Sequence, residues 1–380
     1  MHTVLSGLDG LDAIEKQLKG KRIGLMTNQT GIDSRFRSAI DLIHTKYRLT
    51  ALFAVEHGIR GNVQAGEDYE TQPDPDTGVP VYAVYGKTHR LTAEMLDAFD
   101  VLIFDMQDVG ARFYTYLYAL SFAMEECAKT GKPVVVLDRV NPLGGERIEG
   151  PVLDERFASY VGMYALPTRY GLTIGEYAKW IRRHLKLDAL DLTVVPLQGW
   201  HRQDYLDDLN MPWAAPSPNC ATFHAALCYI GTCIFEGTNL SEGRGTTLPF
   251  EYIGAPWIDA PALSKRMEKR RLPGLYFRPV YFTPTFSKFA GQPCAGVQVH
   301  ITDRQAAPLV EGALTLLDEI RALYPDFVSF LPSGDGFFID KLLGTDAYRT
   351  GAYDAHALMD AHAPARAAFA EERKPFLLYD

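Results

Sequence analysis

The 380-residue sequence contains no apolar run near the roughly 18 residues that a membrane-spanning helix needs. Basic residues are in the minority: 38 Lys and Arg stand against 47 Asp and Glu, a formal charge of −9. General binding to nucleic acid or to a membrane surface rests on a basic field, so neither partner is expected. Cysteine is scarce. The five present (Cys127, Cys220, Cys228, Cys233, Cys294) are odd in number and form no CxxC pair, so they read as mostly buried free thiols rather than a disulfide framework or a zinc site. The N-terminus lacks the charged-then-apolar layout of a signal peptide. The chain as written therefore reads as cytoplasmic, or as periplasmic or secreted if an export signal has been removed.

Cofactor signatures are missing too. A dinucleotide would call for GxGxxG after the first strand, where this sequence reads TNQTGIDS. No P-loop, HExxH or GxSxG occurs, and the carboxylates have no recognisable metal-ligand spacing. No cofactor and no metal are expected.

What is present is a globular composition, 47% hydrophobic and 22% charged, with length enough for two domains. Short apolar runs at 22–26, 49–55, 101–104 and 132–137 alternate with helical stretches such as SRFRSAIDLIHTKY and YLYALSFAMEECAKTGK, the latter stopped by Gly131. Runs of this kind suit strands buried on both faces, and the alternation predicts a Rossmann-like, doubly wound, mainly parallel sheet over residues 1–200. Residues 201–380 read as a smaller α/β domain. It carries a glycine-dense loop, GTCIFEGTNLSEGRGTT, and a strand-like GVQVHIT followed by LVEGALTLLDEIRALY.

Each strand candidate of the first half ends in polar residues: Asn28; Glu56 and His57; Asp105, Gln107 and Asp108; Asp138, Arg139 and Asn141. Open parallel sheets bind ligands beyond the carboxyl ends of their strands, so these groups are expected to converge on one crevice. Paired carboxylates suit glycoside hydrolysis, and Glu56, leaving an apolar strand, is the candidate general acid. A structural Glu56, bridged to Arg60 or Arg112, is the competing reading. Tyr114, Tyr116, Tyr118, Trp213 and Trp257 are candidate sugar platforms, although large aromatics are commonly core. Arg60, Arg112, Arg139, Arg169 and Arg244 lie in or beside the polar motifs, which points to a locally basic cleft for a substrate carboxylate.

The segments LMTNQTGI, LFAVEHGIRGNVQAGE, VLIFDMQDVGARFYTYLYAL, VVVLDRVNPLGG, EGPVLD, LPTRYGLTIGE, PSPN, GTCIFEGTNLSEGRGTTLPFE and GVQVHITDR together resemble the DUF1343 family, associated with exo-β-N-acetylmuramidases of the NamZ type. The resemblance runs from about residue 20 to the terminal KPFLLYD. It implies a glycosidase that removes β-linked N-acetylmuramic acid from the non-reducing end of peptidoglycan fragments, with the cleft between the two domains. It implies Glu56 of the VEHG motif as catalytic, with His57 and Asp105 beside it. Asn28, Gln107, Asp108, Tyr114, Asn141, Asn219, Glu236, Asn239, Glu242 and Arg244 are carried over as substrate-binding candidates. The lactyl carboxylate of muramic acid would account for the arginines, and its N-acetyl group would offer internal assistance in place of a carboxylate nucleophile. The readings from other classes are a non-catalytic sugar-binding protein and a metal-dependent hydrolase using Asp105 and Asp108.

Overall fold

The computed structural model describes residues 3–56, 58–60, 72–86 and 88–380. The first half supplies β1 (Arg22–Thr27), β2 (Arg48–Ala54), β3 (Gln72–Pro73), β4 (Pro80–Ala83), β5 (Val101–Asp105) and β6 (Val134–Leu137). After a short antiparallel pair, β7 (Glu149–Val152) and β8 (Pro167–Arg169), comes β9 (Leu192–Val195). Among the described residues the main sheet runs β3-β4-β2-β1-β5-β6-β9. Every neighbouring pair in it is parallel except β3 with β4. Strands β5 and β6 are buried throughout, as apolar runs covered on both faces must be. Gly24 of β1 has no room for a side chain, since a Cβ there would sit 2.8 Å from the Phe99 ring.

Strand order reverses between β1 and β5, the point where a doubly wound sheet opens a crevice. The turn leaving β1 closes on itself there. Asn28 takes the amide of Thr30 on its Oδ1 (2.9 Å) and that of Gly31 on its carbonyl (3.0 Å). The amides of Ile32 and Asp33 go to the carbonyls of Thr30 and Arg37. With these N–H groups consumed, the turn offers no phosphate cradle, the physical counterpart of the missing glycine fingerprint. Asp33 also takes the amides of Arg35 and Arg37. The helix expected from residue 34 therefore starts later, at Ala39–Lys46, capped by the Ser38 hydroxyl.

The helix Tyr116–Thr130 is buried along its first nine residues and stops at Gly131, whose φ is 67°. It is apolar all round because it lies between the sheet and the second half of the chain. That half contributes β10 (Tyr252–Ala255), β11 (Leu275–Phe282) and β12 (Cys294–Ile301), an antiparallel sheet ordered β10-β12-β11, with helices Phe223–Thr232, Ala260–Arg270 and Leu309–Leu323. One apolar cluster holds Phe104 and Leu120 of the first half together with Ile230, Val297 and Leu314 of the second. All five cysteines are buried free thiols.

Polar ties reinforce this shared core. The buried Arg112 guanidinium donates to the carbonyls of Pro151 (2.7 Å), Leu166 (2.8 Å) and, across the halves, Leu342 (2.6 Å). Burial lowers its pKa to about 10. Arg373 donates in the same way to Gly145 and Gly171. The Tyr379 hydroxyl donates to Asp138 (2.5 Å), and the Leu378 amide donates to Glu176 (2.8 Å). Beyond β5, Asp108 accepts from the Tyr170 hydroxyl and from the Gly110 amide (2.7 Å), while its Oδ1 has no partner among the described residues. Burial pushes its pKa up to about 6.

Two stability predictions follow from these buried groups. Arg112→Met keeps the volume but takes a donor from three carbonyls, of which Leu166 keeps the Leu153 amide, at about 3 kcal/mol or more. The urea midpoint should fall accordingly, and an unchanged midpoint would remove Arg112 as a tie. The Asp108 pKa is higher folded than unfolded, so its contribution to stability is full below about pH 4 and is lost as pH rises through about 6. Asp108→Asn carries no such loss. Its stability relative to the parent should rise by about 3 kcal/mol between pH 4 and pH 7, which denaturant titrations at several pH values will read.

Candidate active site

Glu56 stands two residues past the end of β2. Its Oε1 accepts from the Tyr85 hydroxyl (3.0 Å) and its Oε2 from the Thr115 hydroxyl (2.8 Å). Tyr85 leaves the neighbouring strand β4, and Thr115 precedes the buried helix Tyr116–Thr130, so a strand end and a helix start fix one oxygen each. Burial and the Glu56 charge raise the Tyr85 pKa and keep that phenol a donor. His89 stacks on Tyr160 with ring centroids 4.0 Å apart and meets Tyr85 edge-on. Burial lowers its pKa against the pull of Glu56, and its Nδ1 has no partner among the described residues. Burial thus favours the neutral form of this imidazole beside the carboxylate.

The facing wall belongs to the second half. Helix Phe223–Thr232 tightens into a 3-10 turn at Cys233–Gly237 that presents Glu236. The following loop returns Arg244, whose Nη2 lies 2.6 Å from Glu236 and whose Nε lies 3.5 Å from Glu242. Arg244 packs over the Phe250 ring and is flanked by Gly243 and Gly245, both with φ of 80°. At Gly245 a Cβ would collide with the Phe286 backbone. Lys288 completes the group: its ammonium meets Glu242 (2.9 Å) and the carbonyls of Phe235 (2.7 Å) and Leu240 (2.9 Å). Two carboxylates and two cations thus balance in a half-buried network. Burial raises the Glu236 pKa, with Arg244 opposing it.

Glu56, Tyr85, His89, Thr115 and Tyr160 on one side, and Glu236, Arg244 and Phe250 on the other, line one cavity of about 390 Å³. Tyr114 lines it too, its ring edge-on to Tyr116 and Tyr229, and Asn219 lies buried between the lining residues Ser217 and Cys220. A small site with aromatic faces, two opposed carboxylates and a guanidinium can hold one sugar ring and move a proton on it.

The remaining candidates do not converge here. Asp105 is fully buried in a bidentate pair with Arg139 (2.6 and 2.9 Å), and Arg139 also reaches the Ile32 carbonyl. Asn28 bonds the Tyr116 hydroxyl (2.7 Å), and Gln107 bonds the carbonyls of Asp108 and Val140. Asn141 holds the Leu172 carbonyl, and Arg169 is buried against Glu149 and Tyr205. Arg60 pairs with Asp74 and Asp76, and Asn239 clips to Phe327 and Ser329. Of the arginines expected in a basic cleft, Arg244 alone among the described residues lines this cavity, and Glu56 pairs with neither Arg60 nor Arg112. His57 lies outside the described residues. Trp257 packs against Tyr324 and Phe327. Among the described residues no cluster of three or more metal-ligating side chains occurs.

Sequence reasoning passed over Tyr85, His89, Tyr160 and Lys288. The first two follow the short strand β4, whose four residues PVYA give only a weak signal. Lys288 has none, because only the fold brings it to a loop more than forty residues earlier.

Residues 23–224 match the model described as exo-beta-N-acetylmuramidase NamZ, N-terminal, and residues 227–379 match its C-terminal counterpart. The peptidoglycan beta-N-acetylmuramidase NamZ of Bacillus subtilis (strain 168) is 44% identical over 99% of this chain and 91% of that protein. Two crystal structures of DUF1343 family proteins from Bacteroides fragilis NCTC 9343 superpose with TM-scores of 0.90 and 0.75, at 34% and 30% identity, each over 99% of both chains. Matched through both halves, with a carboxylate-bearing cavity where they meet, the chain belongs to the NamZ family of exo-β-N-acetylmuramidases.

Proposed function

We propose that this protein is a glycosidase that releases terminal β-linked N-acetylmuramic acid from the non-reducing end of peptidoglycan fragments, with Glu56 as its proton-transferring carboxyl. The observation that carries the assignment is the contrast between the two carboxylates of the cavity. Glu56 is held by two hydroxyls and no Lys or Arg among the described residues, whereas Glu236 is paired with Arg244 at 2.6 Å. A carboxyl without a cationic partner takes up and returns a proton without breaking an ion pair, so it suits general acid catalysis better.

In this reading Tyr85 and Thr115 aim the Glu56 oxygens. The Glu56 proton passes to the glycosidic oxygen as the bond to the anomeric carbon breaks; a water then gives its hydroxyl to that carbon and its remaining proton to the Glu56 carboxylate, which restores the acid. Across the cavity, the Glu236 carboxylate opposes the positive charge that develops on the ring. Arg244 lines the cavity and its Nη1 has no hydrogen-bond partner among the described residues, which supports a role for it toward the lactyl carboxylate of muramic acid. Tyr160 and His89 give the ring an aromatic wall.

On an aryl β-N-acetylmuramoside, Glu56→Gln should lower kcat by about a hundredfold or more, with KM little changed. Near-normal turnover would take the proton transfer away from Glu56. Lys288→Met removes a charge-assisted bond to Glu242 and a donor from the Phe235 and Leu240 carbonyls, a loss of about 1.5–3 kcal/mol at the Glu236–Arg244 wall. It should reduce kcat/KM at least tenfold on the same substrate, and an unaltered kcat/KM would confine Lys288 to the fold.

A further inference from the structure

A second cavity, of about 330 Å³, opens where the strand order reverses and shares no lining residue with the Glu56 cavity. Its floor is Thr30, Gln107 and Arg139, beyond the ends of β1, β5 and β6, and its walls include Phe36, Asn210 and Trp213. The segment 213–217 divides the two: Trp213 and Ala214 line this cavity and Ser217 lines the other. Gln29 pins the divider by bonding the Ala215 carbonyl (2.8 Å). We propose that this cavity is a second saccharide site, for a neutral hexosamine ring of the same glycan; the identity of that glycan rests on the function proposed above.

The chemistry of the lining selects the ligand. Asp105 neutralises Arg139, Asp33 is paired with Arg37, and Asp9 is saturated by Ser6 and Ser34. The backbone amides of residues 30–33 are spent within their own turn. Among the described residues an anion therefore meets no unpaired cation and no free amide cradle here. What remains is Nη1 of Arg139, a donor on a nearly buried side chain with no partner among the described residues, together with the exposed Asn210. A hydroxyl or an acetamido carbonyl suits both.

The apolar wall points the same way. Phe36 is 69% exposed and its φ is 63°, so the fold holds an aromatic ring out in solvent on a backbone conformation that non-glycine residues rarely adopt. With Trp213 it offers ring faces to the apolar side of a sugar. Glu56 follows β2 and Arg139 follows β6, so the cavities sit on the same sheet edge three strand spacings apart, about 14 Å. A glycan entering the Glu56 cavity by its end reaches the second cavity a few rings further along.

Chitotriose, a neutral N-acetylglucosamine trimer without the muramic acid that the Glu56 cavity would cleave, is the probe. Calorimetric titration of the full chain should show saturable binding, retained in Glu56→Gln and at least tenfold weaker in F36G/N210A. Glycine adopts the backbone of residue 36 without strain, so the double variant should keep the parent circular dichroism and unfolding midpoint. Absence of saturable binding, equal affinity in the folded double variant, loss of binding in Glu56→Gln, or displacement by millimolar phosphate would each overturn the proposal. If chitotriose binds as expected while muramosides are not turned over, the second site stands and the proposed glycosidase reading fails.

Discussion

The buried pair between Asp105 and Arg139 is the constraint around which this molecule is arranged. It joins the carboxyl ends of β5 and β6, and the same guanidinium holds the Ile32 carbonyl in the turn after β1. Both charges lie almost wholly out of water. Such a pair adds little net stability, but losing one partner would leave the other uncompensated at about 3–5 kcal/mol. The three strand ends are thereby locked at the switch point of the sheet. The loop that carries Gln107 and Thr115 starts from a fixed position because of it.

From that edge outward, the fold makes its cavity by closure rather than by hinging. The apolar cluster passes without a break from the sheet into the second half, and Arg112 and Arg373 spend their donors on carbonyls around the seam. Glu56 and Glu236 are accordingly presented by two walls that cannot easily part. Hydroxyls that aim a carboxylate before substrate arrives spare the reorganisation a looser site would need. The balanced network of Glu236, Glu242, Arg244 and Lys288 keeps a charge-rich wall in place without leaving a net charge beneath it.

How far the sequence could be read depended on which physical signal each part carries. The parallel strands were legible because strands buried on both faces must be apolar runs, and their ends named the edge where the cavities lie. The arginines were not. Arg112, Arg139 and Arg169 fall among motif residues yet turn inward, since the fork of donors that binds a substrate carboxylate serves equally well for stranded carbonyls and buried acids. Tyr85 and His89 were hidden behind a strand of four residues, too short to stand out. Lys288 reaches its carbonyls only through tertiary folding, and no local pattern anticipates that. The single crevice expected from the strand ends resolves into two cavities with a divider between them, because Gln29 and Tyr116 both pin the 215–216 backbone.

The tie from Tyr379 to Asp138 has a consequence for how the chain is made. Asp138 directly follows the sixth strand, yet one of its donors arrives 241 residues later, and the Leu378 amide reaches back to Glu176 in the same way. On the ribosome the sheet half therefore emerges long before the residues that finish its edge. Contacts of such separation slow the search for the native state. Until those last residues are released, that edge lacks its final donors, and this is the interval in which a chaperone would find the nascent protein most in need of cover.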